Sequence, residues 1–159
     1  MKKFLFAAMI ACLGLFASCD QLGVEHTGDK SGNLYGVWKL DTKTVITKNS
    51  DGQEERKDVD HSSVNFFLSL SEPQIAIAKK GSFSQLDLKD VDVDAATFSY
   101  NEAKSQISFS KTLGLTEGLI YSMYLSGTFD VLELTDKKLV LQQEVLGVTV
   151  IYTYHRHQF

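Results

Sequence analysis

The sequence predicts an all-β chain: a single up-and-down antiparallel β-barrel of about eight strands, after a signal peptide and a flexible tether. Three observations predict it. Apolar and polar residues alternate over stretch after stretch, which is the period of a half-buried strand. Turn signals such as Asn49-Ser50-Asp51-Gly52 and Lys79-Lys80-Gly81-Ser82 separate those stretches. No segment of useful length carries a helical apolar period, and short strands with regular turns close into a barrel.

The N-terminus is a sorting label. Lys2 and Lys3 lead a short apolar run from Phe4 to Leu13, and Ala17-Ser18 supply small residues before Cys19. A basic lead, a run too short to span a bilayer and a small-residue cleavage site make a secretory signal. Leu15-Phe16-Ala17-Ser18-Cys19 resembles the lipobox of bacterial lipoproteins. The resemblance implies that residues 1–18 are removed and that Cys19 is lipidated, which anchors the chain in the bacterial cell envelope, with the outer membrane as the expected address. Cys12 leaves with the signal, so the mature chain has no cysteine pair and must be held by its own core. Loss of Lys2 and Lys3 takes the net charge from −4 to −6. That balance excludes nucleic acid as a partner and argues against electrostatic docking on anionic lipid, leaving the acyl chains as the membrane contact.

Residues 19–32 comprise the lipidated cysteine and a polar, aperiodic tether; residues 33–159 form the barrel domain. Its start is Asn33-Leu34-Tyr35-Gly36-Val37-Trp38. Gly36 lets the chain turn tightly. Trp38, the one Trp of the chain, shares a strand face with Leu40, Thr42, Thr44 and Ile46. The charged stretch Gln53–Asp60 reads as an exposed edge strand or a loop. Val64, Phe66, Leu68 and Leu70 share the face of the next strand, and Ile75 and Ile77 begin another after Pro73. Phe98/Tyr100 and Ile107/Phe109 are expected to lie across a hairpin. Tyr121, Met123, Leu125, Gly127, Phe129 and Val131 share one parity, and Leu139 and Leu141 continue after the turn at Thr135. In the last strand Val148, Val150, Tyr152, Tyr154 and Arg156 fall on one face, with His155 and His157 on the other.

The Gly36-Val37-Trp38 start, the wholly β chain and Tyr154-His155-Arg156 in the last strand resemble the lipocalin-like branch of the calycins. More narrowly, they resemble the short lipocalin-like domains of Gram-negative lipoproteins, over residues 33–159. The resemblance implies that Trp38 packs across the closed end of the barrel beneath Arg156, a cation–π contact worth about 0.5–2 kcal/mol. It also implies a small apolar or amphipathic ligand inside the barrel. The inward stripe that would line such a site is Phe66, Leu68, Met123, Leu125, Phe129, Val150, Tyr152 and Tyr154.

Two readings stay open for Arg156: a clamp for a carboxylate with the neighbouring phenol, or a stack on Trp38 that also caps backbone carbonyls. Asp90-Val91-Asp92-Val93-Asp94 invites calcium, but Ala95 and Asn101 stand where a calcium loop needs Gly and Glu. His155 and His157 have no Cys or acidic partner close in sequence, so no metal and no cofactor are expected. No nucleophile motif is present, and an enzyme is not expected. Thr112–Ile120 is an apolar stretch between strands with two readings: a loop whose Leu113, Leu115 and Leu119 are candidates for a ligand portal, or a short strand extension or helical turn packed on the core. Two functions follow. One is a tethered binding module for a small apolar molecule. The alternative is a solid barrel that contacts an envelope protein through Gln53–Asp60 and Thr112–Ile120.

Overall fold

A computed structural model of the chain describes residues 28–81 and 93–158. The described residues form nine antiparallel strands: β1 (Gly36–Lys48), β2 (Glu54–Asp60), β3 (Phe66–Ser71), β4 (Ile75–Lys80), β5 (Val93–Asn101), β6 (Gln106–Glu117), β7 (Tyr121–Leu134), β8 (Lys138–Val145) and β9 (Val148–Arg156). Each pairs with the next around the sheet in the order β1, β3, β4 to β9, and β9 pairs back on β1, so eight strands close a barrel. The extra strand is β2. It covers only the far half of β1, from Thr42↔Asp60 to Lys48↔Glu54, while β3 takes the near half, from Gly36↔Leu70 to Lys39↔Phe67. The charged stretch is therefore an edge strand, exposed along nearly its whole length. Its charges suit an edge that must not recruit another strand.

The up-and-down path puts the start of β1 and the end of β9 at one end, the floor. The tips after β1, β6 and β8 lie at the other end, the mouth. One contiguous cluster of buried side chains fills the barrel between them, from Trp38 and Leu40 through Phe66, Leu68, Phe98, Ile107 and Phe109 to Leu139, Leu141 and Tyr154. The β5–β6 hairpin pairs Phe98↔Phe109 and Tyr100↔Ile107. Its short turn of 3-10 helix, Glu102–Lys104, is capped by the Asn101 side chain, which accepts from Lys104 N at 3.1 Å.

The alternation read from the sequence departs from the structure in β1. Leu40 pairs with Tyr154 but Thr42 pairs with Thr153, so Asp41 is an extra residue, a β-bulge. The bulge is held on both sides: Asp41 O accepts from His61 N at 2.6 Å, and its carboxylate lies 2.6 Å from His155 Nδ1. One inserted residue exchanges the faces of everything beyond it. Lys43 and Val45, not Thr42, Thr44 and Ile46, therefore continue the inward face of Trp38 and Leu40, opposite Tyr152 and Val150. Thr44 is buried on the other face, its hydroxyl 2.5 Å from Asp58 Oδ1.

The face of β4 and the end of the tether are set by their neighbours. Ala76 and Ala78 are the inward residues of β4, directly opposite Leu70 and Leu68, so Ile75 and Ile77 point outward. Asp29 and Gly32, assigned to the tether from their polar surroundings, bond to the end of β7: Leu134 N donates to Asp29 O at 2.8 Å and Gly32 N to Leu134 O at 2.9 Å. Polarity of side chains says nothing about the backbone, whose donors and acceptors seek partners regardless.

Candidate functional site

The floor is closed by the residues at the two ends of the sheet. Trp38 is fully buried, its indole N–H donates to Leu34 O at 2.9 Å, and the Arg156 guanidinium carbon lies 4.2 Å from the centre of its ring. Arg156 spends its donors on carbonyls: Nη1 on Tyr35 O at 2.9 Å, Nε on Asp136 O at 2.7 Å, and Nη2 on Asn33 O. Three of its five donors, one on each nitrogen, are thereby fixed on the backbone of the floor. Gly36 has φ of +147°, and a Cβ there would run into Arg156 Nη1. The floor is thus a structural plug. Asp94, the described aspartate of the Asp90–Asp94 run besides which Asp90 and Asp92 lie outside the described residues, bonds Lys111 Nζ at 3.1 Å and Gly114 N at 3.2 Å.

The mouth half is different. β7 pairs with β8 only from Asp130↔Gln142 to Leu134↔Leu139, and above that level the two strands part. The parting begins where β7 bends. Ser110, Lys111 and Thr112 of β6 stand against Ser126 alone, and Gly127 has φ of +73°, which a residue with a side chain rarely adopts. Side chains stand in for the missing strand. The Tyr152 hydroxyl donates to Tyr124 O and accepts from Tyr124 N, both at 3.1 Å. Gln143 Nε2 donates to Ser126 O at 2.7 Å and Thr128 O at 3.0 Å.

Beside this seam lies a hollow of about 280 Å³ lined by Lys43, Tyr124, Ser126, Phe129, Gln143, Val145, Val148, Val150 and Tyr152. Its wall is mostly apolar. Lys43 comes from the bulged strand; its Nζ donates to Ser122 Oγ at 2.8 Å and lies 5.8 Å from the centre of the Tyr152 ring. Burial holds the Lys43 amine below its ordinary value. Burial likewise raises the Tyr152 phenol, against the opposing pull of its bond from Tyr124 N. Across the mouth, the break between β2 and β3 drops His61 inside. Its ring is fully buried, 5.3 Å edge-on from Tyr121, with Nδ1 2.9 Å from Val59 O and no hydrogen-bond partner for Nε2 among the described residues.

Of the residues expected to line a ligand site, Phe129, Val150 and Tyr152 border the hollow. Phe66, Leu68, Met123, Leu125 and Tyr154 are packed into the filled core, where the Tyr154 hydroxyl meets Met123 Sδ at 3.3 Å. Thr112–Glu117 is not a loop but the end of β6, and Leu113 and Leu115 face inward opposite Leu125 and Met123. Of the three portal candidates only Leu119, in the β6–β7 tip, is exposed, together with Ile120. Val145 and Leu146 are exposed at the β8–β9 tip. These two tips stand at the mouth ends of the strands that border the seam. Lys43 and Gln143 went unseen in the sequence: a charged or amide residue in an alternating strand reads as solvent-facing, and only a bulge reverses that for Lys43. Among the described residues no three His, Cys, Asp or Glu side chains group as a metal site would.

No family model matches the chain, and neither a curated protein nor a solved structure matches it.

Proposed function

We propose that this chain is a lipid-anchored, lipocalin-like lipoprotein of the bacterial cell envelope that binds a small apolar or amphipathic molecule where β7 and β8 part. The observation that carries the reading is the hollow at that seam. Small-molecule sites are concave, mostly apolar and carry a few convergent polar groups. Phe129, Val145, Val148 and Val150 supply the apolar wall, and Lys43, Gln143 and Tyr152 the polar groups. The volume of about 280 Å³ suits a ligand smaller than most drugs, whose sites run from ~300 to 1,000 Å³. The anchor rests on the lipobox-like sequence ending in Cys19. The described chain enters β1 at the floor, the end opposite the seam and the apolar tips.

The chain from residue 20 onward, placed behind a cleavable signal that lacks a lipidation cysteine, retains every described strand of the closed sheet and can be recovered from its own host without lipid. Native mass spectrometry of that protein is expected to find a retained small molecule, and Val150→Trp, which fills the hollow, is expected to lose it. A wild-type protein that carries nothing and takes up no apolar compound counts against ligand binding. Incorporation of a labelled fatty acid, abolished by Cys19→Ser, tests the anchor.

A second reading, a solid barrel that docks on another envelope protein, draws on the exposed Leu119, Ile120, Val145 and Leu146 at the mouth. Cross-linking from these tips to one stoichiometric protein would favour it.

A further inference from the structure

Lys43 is the residue of the hollow whose chemistry is left incomplete. An ammonium offers three N–H donors, and the recorded partners of Lys43 are one hydroxyl, Ser122 Oγ at 2.8 Å, and the face of Tyr152 at 5.8 Å. Among the described residues no carboxylate lies within ion-pair distance of it. Other lysines of the barrel do have such partners: Lys80 with Glu117, Lys111 with Asp94, and Lys138 with Glu133 at 2.8 Å. The contrast runs against solvation. Lys111 and Lys138 are well exposed and need their partners little, whereas Lys43 is half-buried against valines and aromatic rings. A cation placed in an apolar wall is costly unless an anion meets it.

We propose that Lys43 is the anion-binding subsite of this hollow and that the ligand is a singly charged amphiphile, a carboxylate with a medium-length apolar tail. This rests on the ligand-binding reading above and adds the charge of the ligand and the residue that reads it. The head meets Lys43 Nζ, with the Ser122 hydroxyl beside it; the tail lies on Phe129, Val145, Val148 and Val150. One charge, not two, fits. Arg156 is engaged at the floor, and Lys43 is the one cationic side chain lining the hollow, so a dianion such as a phosphate monoester would keep an uncompensated charge against apolar walls.

The test uses the chain from residue 20 onward at neutral pH, with decanoate, decan-1-ol and decyl phosphate as probes in calorimetric titrations. Decanoate is expected to bind about tenfold or more tightly than decanol, the ratio that a modest ion pair supplies, and more tightly than decyl phosphate. Lys43→Met should remove that preference and leave decanol binding within about threefold, while Lys43→Arg should keep it. A second readout needs no variant. The carboxyl carbon of labelled decanoate, followed by NMR, should titrate at lower pH when bound than when free, because the ammonium favours the charged form. Equal affinity for decanoate and decanol, or a bound carboxyl that titrates at higher pH than the free acid, overturns the assignment of Lys43 and leaves the hollow as a neutral site. Tighter binding of decyl phosphate overturns the single charge. Failure of all three probes to bind removes the ligand-binding reading itself.

Discussion

At the scale of single residues, two cations show how placement decides what a charge does. Arg156 and Lys43 both extend from the inward face of the sheet, one at the floor and one at the mouth. Arg156 has each of its three nitrogens bonded to a carbonyl and its face stacked on Trp38, so it stabilises the closed end. Lys43 has one hydroxyl and a distant ring, and burial lowers its pKa from the ordinary 10.5. The consequence for stability has a definite sign. Between the folded and unfolded values the unfolded chain binds more protons, so stability climbs with pH through that interval. Below it the desolvation cost is fully present. Lys43→Met removes the half-buried charge and is expected to stabilise the ligand-free protein by about 0.5 kcal/mol at pH 7, below the range for a fully buried polar group because water still screens the exposed half of the side chain. The gain should shrink as pH rises through the folded value toward 10.5, where the unfolded chain also loses its proton. Urea unfolding followed by Trp38 fluorescence at a series of pH values measures this. A destabilised variant at pH 7 would mean that Ser122 and Tyr152 already satisfy the ammonium.

At the scale of elements, the seam between β7 and β8 is held by side chains in place of a ladder. Tyr152 is central, because its single hydroxyl serves both the donor and the acceptor of Tyr124. Tyr152→Phe deletes both bonds and leaves the ring in the core. The expected cost is about 1–2 kcal/mol, the range for two ordinary bonds partly replaced by water. Faster amide exchange should be confined to the mouth half of β7, with β9 and the floor half unchanged. Equal acceleration in every strand would mean that the seam does not open separately from the rest. The same elements show what was legible in the sequence. Alternation found the barrel strands, the β5–β6 hairpin and the inward face of β9, because each is set by a run of apolar residues at period two. It missed Lys43 because a bulge at Asp41 depends on His61 N and His155 Nδ1, groups brought there by other strands. It left residues 112–117 open between loop and strand, because the three-residue bulge opposite Ser126 interrupts the run of β6. The seam left no mark at all, since unpaired backbone has no sequence signature of its own.

At the scale of the whole molecule, one pairing sets the closed barrel apart from an open meander: β1 on β9. Every other strand pairing of the barrel joins strands that are neighbours in sequence or separated by β2 alone. His155 and Asp41, which meet across the closing pair, are 114 residues apart in the chain. Bringing such distant segments together costs entropy that grows only as the logarithm of the intervening length, but it is spent before the contact rewards it. A closed up-and-down barrel carries one such long-range pairing wherever its chain is cut. Both ends of the sheet lie at the floor, where His157 N donates to Val37 O at 2.8 Å and Arg156 reaches Asn33 and Tyr35. A short Gly/Ser linker from residue 158 to residue 33, with new termini at the exposed Gly118-Leu119 tip, therefore turns β9 and β1 into a local pair and makes β6 on β7 the closing one. This permutant is expected to keep the far-UV spectrum of the barrel and the buried emission of Trp38. Its refolding rate should stay within about tenfold of the parent, because the mean separation of contacts is nearly conserved. Stopped-flow refolding checks the rate. A permutant that collapses without burying Trp38, or folds only with a linker long enough to span the molecule, would mean that β1 and β9 do not meet.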